Sequence, residues 1–367
     1  MILRSLRVRG WRNLTDAALI PGPRVTVLHG RNGQGKTNLI EAAHYVTTFR
    51  SFRAHRVDEL VAWGAPGAHL EADVQVGGLE RRIDAKLASG RKSTRLDGKP
   101  VRRAASALSE VAAVLFVPED LLLPRAAPAE RRRFLDRAIF AADRGYAVEA
   151  TALERVLKSR NAVLRQGQPP LALLDTYDEQ MAHHGARIVL RRRALTAALA
   201  PRVETLFRSI HADIGTAIRY RSHPEIEAVR TEPDLVAALR AGLLARRTLD
   251  ERRAFTGFGP HTDDLVFDMA GHPAADHGSQ GQLRSLVLAL KLAELAHLTA
   301  VLGASPLLLL DDVASELDEI RRCRLFETIS ALPGQTLITV TEPQLLPQLP
   351  ERRDFEVEAG QIRKASI

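Results

Sequence analysis

The chain has 367 residues, 45% hydrophobic and 26% charged, which sets aside the disordered and fibrous classes and leaves room for about two domains. Its net charge of +8 and pI near 10.0 favour a polyanionic partner, nucleic acid or an anionic membrane surface, although only seven of the 52 basic residues are lysine and coding preference accounts for part of the arginine excess. One cysteine, Cys323, excludes an internal disulfide and reads as a helix packing residue in a cytosolic protein.

Residues 1–9 are interrupted by arginines and lack the apolar run of a signal peptide. The longest apolar-rich region, 283–303, carries Arg284, Lys291 and Glu294 and makes a poor membrane span, so a soluble cytoplasmic protein with no membrane partner is expected. Leu3, Leu6, Val8, Trp11 and Leu14 suggest an opening strand and a turn, at Arg12 and Asn13, into the strand that follows. That strand is Val25-Thr26-Val27-Leu28-His29, and after it Gly30-Arg31-Asn32-Gly33-Gln34-Gly35-Lys36-Thr37 reads G-x-x-x-x-G-K-T before a helical pattern through Tyr45. Glycines there let successive N–H groups turn inward around a phosphate chain, Lys36 adds a point charge, and Thr37 offers a hydroxyl to Mg²⁺. An ordinary glycine-rich turn is the bland alternative. Strand, loop and helix in the required order favour a site for a nucleoside triphosphate.

Between residues 68 and 101 the apolar positions alternate, Gly77-Gly78 and Asp97-Gly98 mark turns, and an antiparallel sheet is expected. Arg81, Arg82, Lys86, Arg91, Lys92, Arg95 and Lys99 decorate it, either as a phosphate-contacting face or as a solvated outer one. Val114-Leu115-Phe116-Val117 reads as a short strand ending at Pro118-Glu119-Asp120. From 128 to about 210 the pattern is helical, with arginine clusters at 131–133 and 191–193 that are either solvated faces or nucleic-acid contacts. Residues 219–227 alternate again, and 233–252 are helical. The turn-rich segment 256–265 contains His261, Asp263 and Asp264; with no second histidine at ligand spacing, a loop held by Asx hydrogen bonds is preferred to a metal site.

Ser279-Gln280-Gly281-Gln282 opens a long helix with capping-box spacing, and its free N–H groups beside a serine and a close-approach glycine also suit a phosphate. Leu307-Leu308-Leu309-Leu310-Asp311-Asp312 reads as a strand buried on both faces and of the parallel type, ending in two carboxylates that point to opposite sides. A further buried strand lies at 335–341 and a small closing strand after Asp354. Together these pieces suit a single chemistry, in which the loop holds the nucleotide, Asp311 holds Mg²⁺ through water, and Asp312 orients the attacking water. The Ser279 helix faces such a loop most simply across a two-fold dimer.

This ordered set resembles the ABC-type ATPase heads, and more narrowly the RecF recombination-repair family. The residues that carry the resemblance are Arg12-Asn13, Gly30 to Thr37, Phe116-x-Pro118-Glu119-Asp120-Leu121, Arg132-Arg133-Phe134-Leu135-Asp136, Gly259-Pro260-His261-x-Asp263-Asp264-Leu265, Ser279-Gln280-Gly281-Gln282-x-Arg284 and Leu310-Asp311-Asp312-x-Ala314-Ser315-Glu316-Leu317-Asp318. The resemblance implies an α/β ABC-type P-loop ATPase head, with a mixed parallel core sheet plus an antiparallel sheet at 1–115 and 275–367, and an inserted, mainly helical lobe at 116–274. It implies ATP and Mg²⁺ as cofactors, with Gly30, Arg31, Asn32, Gly33, Gln34, Gly35, Lys36, Thr37 and Asn38 on the nucleotide. Thr37 and Asp311 would hold the metal, Asp312 and Lys36 would serve catalysis, Arg12 and Asn13 would lie near the nucleotide, and Ser279, Gln280, Gly281 and Gln282 would act in trans. The implied function is an ATP-dependent DNA-binding protein that dimerises on single-strand/double-strand gap junctions, hydrolyses ATP slowly and works with RecR and RecO to direct RecA.

Three positions depart from the pattern: Asp312 stands where many ABC heads have glutamate, no histidine follows His297, and Thr262 replaces a frequent arginine. Thr339 or Thr341 lies near the place of the missing switch histidine. The rival reading is an ABC-type ATPase subunit coupled to transport. Against it stands the basic helical insert, which also lacks the sustained heptads of an SMC coiled coil.

Overall fold

The computed structural model describes residues 1–101, 112–143, 145–166, 170–211 and 214–365, leaving the side chain of Glu316 aside. The helical stretch expected at 128–210 therefore includes residues 144 and 167–169, which lie outside the described residues. In chain order the strands are β1 (Ile2–Trp11), β2 (Leu14–Leu19), β3 (Val25–His29), β4 (Ala68–Val76), β5 (Leu79–Ala88), β6 (Arg91–Leu96), β7 (Lys99–Pro100), β8 (Ala113–Phe116), β9 (Thr216–Arg221), β10 (Asp264–Met269), β11 (His272–Pro273), β12 (Leu307–Leu310), β13 (Thr336–Val340), β14 (Arg352–Glu358) and β15 (Gln361–Lys364). The chain divides into two compact units, one of residues 1–122, 206–213 and 279–367 and the other of 123–205 and 214–278. The divisions fall at 122/123 and 278/279, and the foot of one long helix belongs with the first unit, where the sequence suggests 115/116 and 274/275.

The first unit contains two six-stranded sheets. One is antiparallel, in the order β2-β1-β4-β5-β6-β7. Its period-two pattern sends Leu3, Leu6, Val8, Leu70, Ala72, Val74, Ile83, Ala85 and Leu87 to a single buried face. The other has the order β15-β14-β3-β13-β12-β8, and every pair from β14 to β8 is parallel. The helix Lys36–Thr48 packs into one core cluster with both sheets, through Leu39, Ile40, Ala42, Ala43 and Val46 against Leu6 and Leu70 on one side and Leu28, Leu309 and Leu337 on the other. Val27, Leu308, Leu310, Ile338 and Val340 are also buried, so both faces of the parallel sheet are covered, as its unbroken apolar strands require. The helix Gln280–Leu302 is long and apolar enough to cross a membrane by length and composition alone, but 67% of that window is buried inside the protein.

Several sequence expectations are sharpened. Arg12 and Asn13 do not lead into β3; they turn β1 back on itself into β2, with Arg12 in the left-handed region at φ 53°. A turn at Ser89-Gly90, with φ of 50° and 70°, supplies a hairpin between those read at Gly77-Gly78 and Asp97-Gly98. Strand β9 stops at Arg221, and the expected alternation to 227 gives way to a short helix, Pro224–Glu227, because Pro224 can start a helix but cannot donate within a ladder.

The second unit holds the helices Pro128–Ala142, Gly145–Leu164 and Glu232–Arg253, most of the helix Leu171–His211, and the three-stranded sheet β11-β10-β9. Its interior is unusually ionic. Arg160 is fully buried, donating to Asp178 (2.7 Å) and Asp250 (2.8 Å), and Arg192 donates to both carboxylate oxygens of Asp136.

Candidate nucleotide-binding site

Strand β3 delivers the chain into the loop at Gly30, whose φ of 143° only glycine adopts freely; a Cβ there would lie 2.4 Å from the Val357 carbonyl oxygen. Gly35, at φ 114°, begins the helix, and its missing side chain leaves room for Asn13, whose Oδ1 would be 2.9 Å from a Cβ. Lys36 Nζ donates to the carbonyls of Gly30 (2.5 Å) and Arg31 (3.0 Å), holding the ammonium over the loop. Burial lowers the Lys36 pKa, while Asp312 and Asp311 nearby act in the opposite direction. Arg31, Asn32 and Gly33 are exposed at the crest. Gln34 anchors the loop to the β14–β15 turn, its carbonyl accepting from Gly360 N (3.0 Å) and its Oε1 from Ala359 N (2.7 Å).

Asp311 follows β12, and its Oδ1 accepts from two hydroxyls, Thr37 Oγ1 at 3.1 Å and Thr339 Oγ1 at 2.7 Å. Burial raises its pKa, and the two hydroxyls offset part of that rise. Thr339 also accepts from the backbone N–H of Asp312 (2.8 Å), so one hydroxyl, on the strand beside β12, sets both acidic residues. The strand alternation expected to separate the two carboxylates does not reach them: β12 ends at Leu310, and Asp312 has a left-handed backbone at φ 49°. Its Oδ1 is buried without a hydrogen-bond partner. The head of the loop thus gathers an all-oxygen donor set that fits a hard divalent cation, beside a carboxylate oxygen free to accept from water.

Asn13 touches the loop, whereas the Arg12 guanidinium is turned to the helix that follows it. It makes a two-pronged pair with Glu41 at 2.9 and 3.0 Å, which Arg53 Nη2 (2.8 Å) and Ser51 Oγ (2.5 Å) join. Glu41 is fully buried; burial alone would raise its pKa, and the donors from Arg12, Arg53 and Ser51 outweigh that and hold it below the ordinary value. Arg53 Nη2 also donates to Asn38 Oδ1 (2.6 Å), Asn38 Nδ2 to Asn13 Oδ1 (2.7 Å), and Asn13 Nδ2 to the Gly33 carbonyl (3.3 Å). Glu41 and Arg53 escape the motif reading. Their signal is a lone carboxylate among Leu39, Ile40, Ala42 and Ala43, which on a buried helix face demands cationic partners.

Ser279 is the N-cap of the helix Gln280–Leu302, and the capping box is complete: Gln282 N donates to Ser279 Oγ (3.3 Å) and Ser279 N to Gln282 Oε1 (2.7 Å). Ser279 and Gln280 are exposed. Gly281 makes room for Arg321, whose Nη1 would lie 2.5 Å from a Cβ, so the glycine brings a guanidinium to the helix start.

Most of the candidate basic contacts are already engaged. Arg131 pairs with Asp264, Arg132 donates to the Asp263 carbonyl (2.6 Å), Arg191 pairs with Asp143, and Arg193 donates to Ser222 and the backbone; Arg133 is exposed beside Glu130. On the antiparallel sheet Arg81 pairs with Asp97 and Arg82 with Glu71, which fits a solvated face of mixed charge. Contacts other than the expected Asx bonds hold the Gly259-Pro260-His261 segment. Thr262 donates to the Gly259 carbonyl, His261 Nε2 meets Thr256 O (2.9 Å), Arg192 donates to Pro260 O (2.7 Å) and Tyr220 to Asp263 (2.5 Å). Burial lowers the His261 pKa and raises that of Asp263 to about 6.

Comparison with known proteins places this geometry among relatives. The family model described as the RecF/RecN/SMC N-terminal domain matches residues 2–352. The chain is 43% identical to the DNA replication and repair protein RecF of Anaeromyxobacter sp. (strain Fw109-5), over 99% of each chain, and 41% identical to that of Myxococcus xanthus (strain DK1622), over 94% of this chain and 92% of the relative. A solved structure of the recombination mediator RecF with ATP superposes with a TM-score of 0.90 at 29% identity, covering 99% of both chains. An Smc head bound to the C-terminal winged-helix domain of ScpA reaches 0.60 at 13% identity over 100% of this chain and 98% of that one, a likeness of fold alone.

Proposed function

Because the chain belongs to the RecF family, we propose that it is an ATP-dependent DNA-binding protein of recombinational repair, acting in the cytoplasm. In this reading it is a monomer without ATP and dimerises with ATP on gap junctions between single- and double-stranded DNA. It hydrolyses ATP weakly with stimulation by DNA, and works with RecR and RecO in directing RecA. The observation that carries the reading is the Thr37–Asp311–Thr339 hydroxyl and carboxylate set at the head of the loop, with the unpartnered Asp312 oxygen beside it.

Backbone N–H groups of residues 33–37 and the Lys36 ammonium take the phosphate chain. Thr37 and, through water, Asp311 would hold Mg²⁺, which would supply charge neutralisation at the phosphates. Asp312 accepts from and orients the attacking water. Its side chain is one methylene shorter than glutamate, and the slow rate follows from that longer path. Arg12, Asn13 and Asn38 border the loop, and Ser279, Gln280, Gly281 and Gln282 close over the nucleotide held by a second copy of the chain.

Binding of a gapped duplex with and without ATP, over a salt series, tests the proposal. Log affinity is expected to fall steeply with log salt, and Lys36→Met is expected to abolish nucleotide binding and with it the ATP-dependent part. DNA affinity indifferent to ATP in the wild-type protein would overturn it.

A further inference from the structure

The outer face of the antiparallel sheet carries a cluster that the nucleotide chemistry does not use. Alternation along β4 buries Leu70, Ala72 and Val74 and leaves His69 and Glu71 on the other side; along β5 it buries Ile83, Ala85 and Leu87 and leaves Arg82, Asp84 and Lys86 there. The register sets Glu71 directly across from Asp84, and His69 across from Lys86, one diagonal step from Asp84. As a result an imidazole nitrogen and an oxygen from each carboxylate all lie within 4.8 Å of one another. Among the described residues no other three histidine, cysteine or acidic side chains converge so closely. Both strands are paired on each side, β4 with β1 and β5, β5 with β4 and β6, so the backbone beneath the three donors is fixed.

Two features set the cluster apart from ordinary solvated charge. The His69, Glu71 and Asp84 side chains keep only 24%, 26% and 28% of their area exposed, whereas Arg82 beside them keeps 66%. Two carboxylates directly opposite on one sheet face repel each other, and a cation shared between them removes that penalty. The neighbouring basic residues supply it incompletely. Arg7, across from Glu71, donates twice to Asp16 (3.3 and 3.1 Å), and Arg9, across from His69, lies 3.7 Å from the same carboxylate. Arg82 gives Glu71 a single bond at 3.2 Å, an exposed pair of the kind that adds little and opens readily to solvent. His69 Nε2 already stands 2.7 Å from Asp84 Oδ2, a contact that a metal would widen to about 3.3 Å, the spacing of tetrahedral ligands about 2.0–2.1 Å from zinc.

We propose that His69, Glu71 and Asp84 form a Zn²⁺ site that clamps β4 to β5 and leaves a fourth position to water. One imidazole with two carboxylates suits a first-row ion of borderline softness, whereas Mg²⁺ and Ca²⁺ take all-oxygen sets. The site shares no ligand with the Thr37 and Asp311 set and does not depend on DNA binding.

Calorimetric titration of the chelator-stripped, full-length protein with zinc chloride is the test. One tight site per chain is expected, with a rise in melting temperature on loading. His69→Ala and Asp84→Asn are each expected to weaken it by more than about a hundredfold, because even the outer partners of zinc ligands are worth about tenfold to a hundredfold; MgATP affinity should not change. Asp311→Asn should keep the zinc site, which separates it from the phosphate loop. Cobalt chloride gives a second reading that needs no variant: visible ligand-field absorption is expected in the wild-type protein and should be bleached by zinc. Wild-type protein with no tight zinc site, or without those cobalt bands, would overturn the proposal. So would a zinc isotherm unchanged in His69→Ala and Asp84→Asn. A tight site lost instead in His272→Ala would assign the ion to the His272 and His277 rings, 5.0 Å apart, and also refute it.

Discussion

The Asp311 carboxylate is held by one hydroxyl 274 residues earlier in the chain and another 28 residues later. Thr339→Val keeps the shape of that contact and removes the donor, which for a charged acceptor costs about 1.5–3 kcal/mol, or about tenfold to a hundredfold if expressed in the rate. Phosphate release is expected to fall by that factor while fluorescent-nucleotide affinity changes little, and Thr339→Ser should recover the rate. The sequence singles out Thr339 and Thr341 only by position; a pairing between neighbouring parallel strands is needed to choose between them. Glu41 is a second case. Its folded pKa is depressed, so its stabilisation is present above the ordinary carboxylate value of 4.5 and is lost as pH falls through the lower folded value. Breaking a buried pair costs about 3–5 kcal/mol, and partial exposure of both arginines brings the cost here to about 2 kcal/mol. Urea unfolding should show Glu41→Gln weaker than wild type at pH 7 and converging with it in acid.

Among elements, β3, the helix Lys36–Thr48, β12 and the capped helix Gln280–Leu302 were legible because each carries a strong local signal: an apolar run, a glycine series, a capping box. The β14–β15 hairpin was legible only as a small closing strand after Asp354, not as a pair of strands, and it forms the back wall of the phosphate loop through Gln34. Gly360, at φ 75°, would bring a Cβ to 2.3 Å from the Asn13 carbonyl oxygen, a backbone clash that no rotamer relieves. Gly360→Ala is therefore expected to destabilise the fold by about 1–3 kcal/mol and to reduce the rise in melting temperature that ATP gives. An unchanged ATP-induced shift would show that the hairpin does not shape the loop. The arginine-rich helices illustrate the opposite error. Their clusters read as surface charge, but Arg131, Arg132 and Arg192 are internal ties, since Asp136, Asp263 and Asp264 await them at distances in sequence that no local pattern reveals.

For the whole molecule, the nucleotide loop belongs to a unit assembled from three stretches of chain, and the proposed function sets the surface around Ser279 against a second copy. Asp312→Asn leaves the hydroxyl and lysine ligands in place, so it is expected to keep ATP binding and to accumulate dimer; sedimentation at saturating ATP that finds only monomer would contradict the proposed closure. The first strand depends on the last third of the chain: the Met1 ammonium donates to Ser305 O (2.5 Å), Leu3 N to Gln335 Oε1 (2.7 Å), and Gln335 Nε2 back to Leu3 O (3.1 Å) and Gly22 O (2.7 Å). On the ribosome, then, the nucleotide loop is translated within the first tenth of the message but cannot acquire its walls until the final hairpin emerges, and a stalled nascent chain would present the G-x-x-x-x-G-K-T segment without affinity for nucleotide.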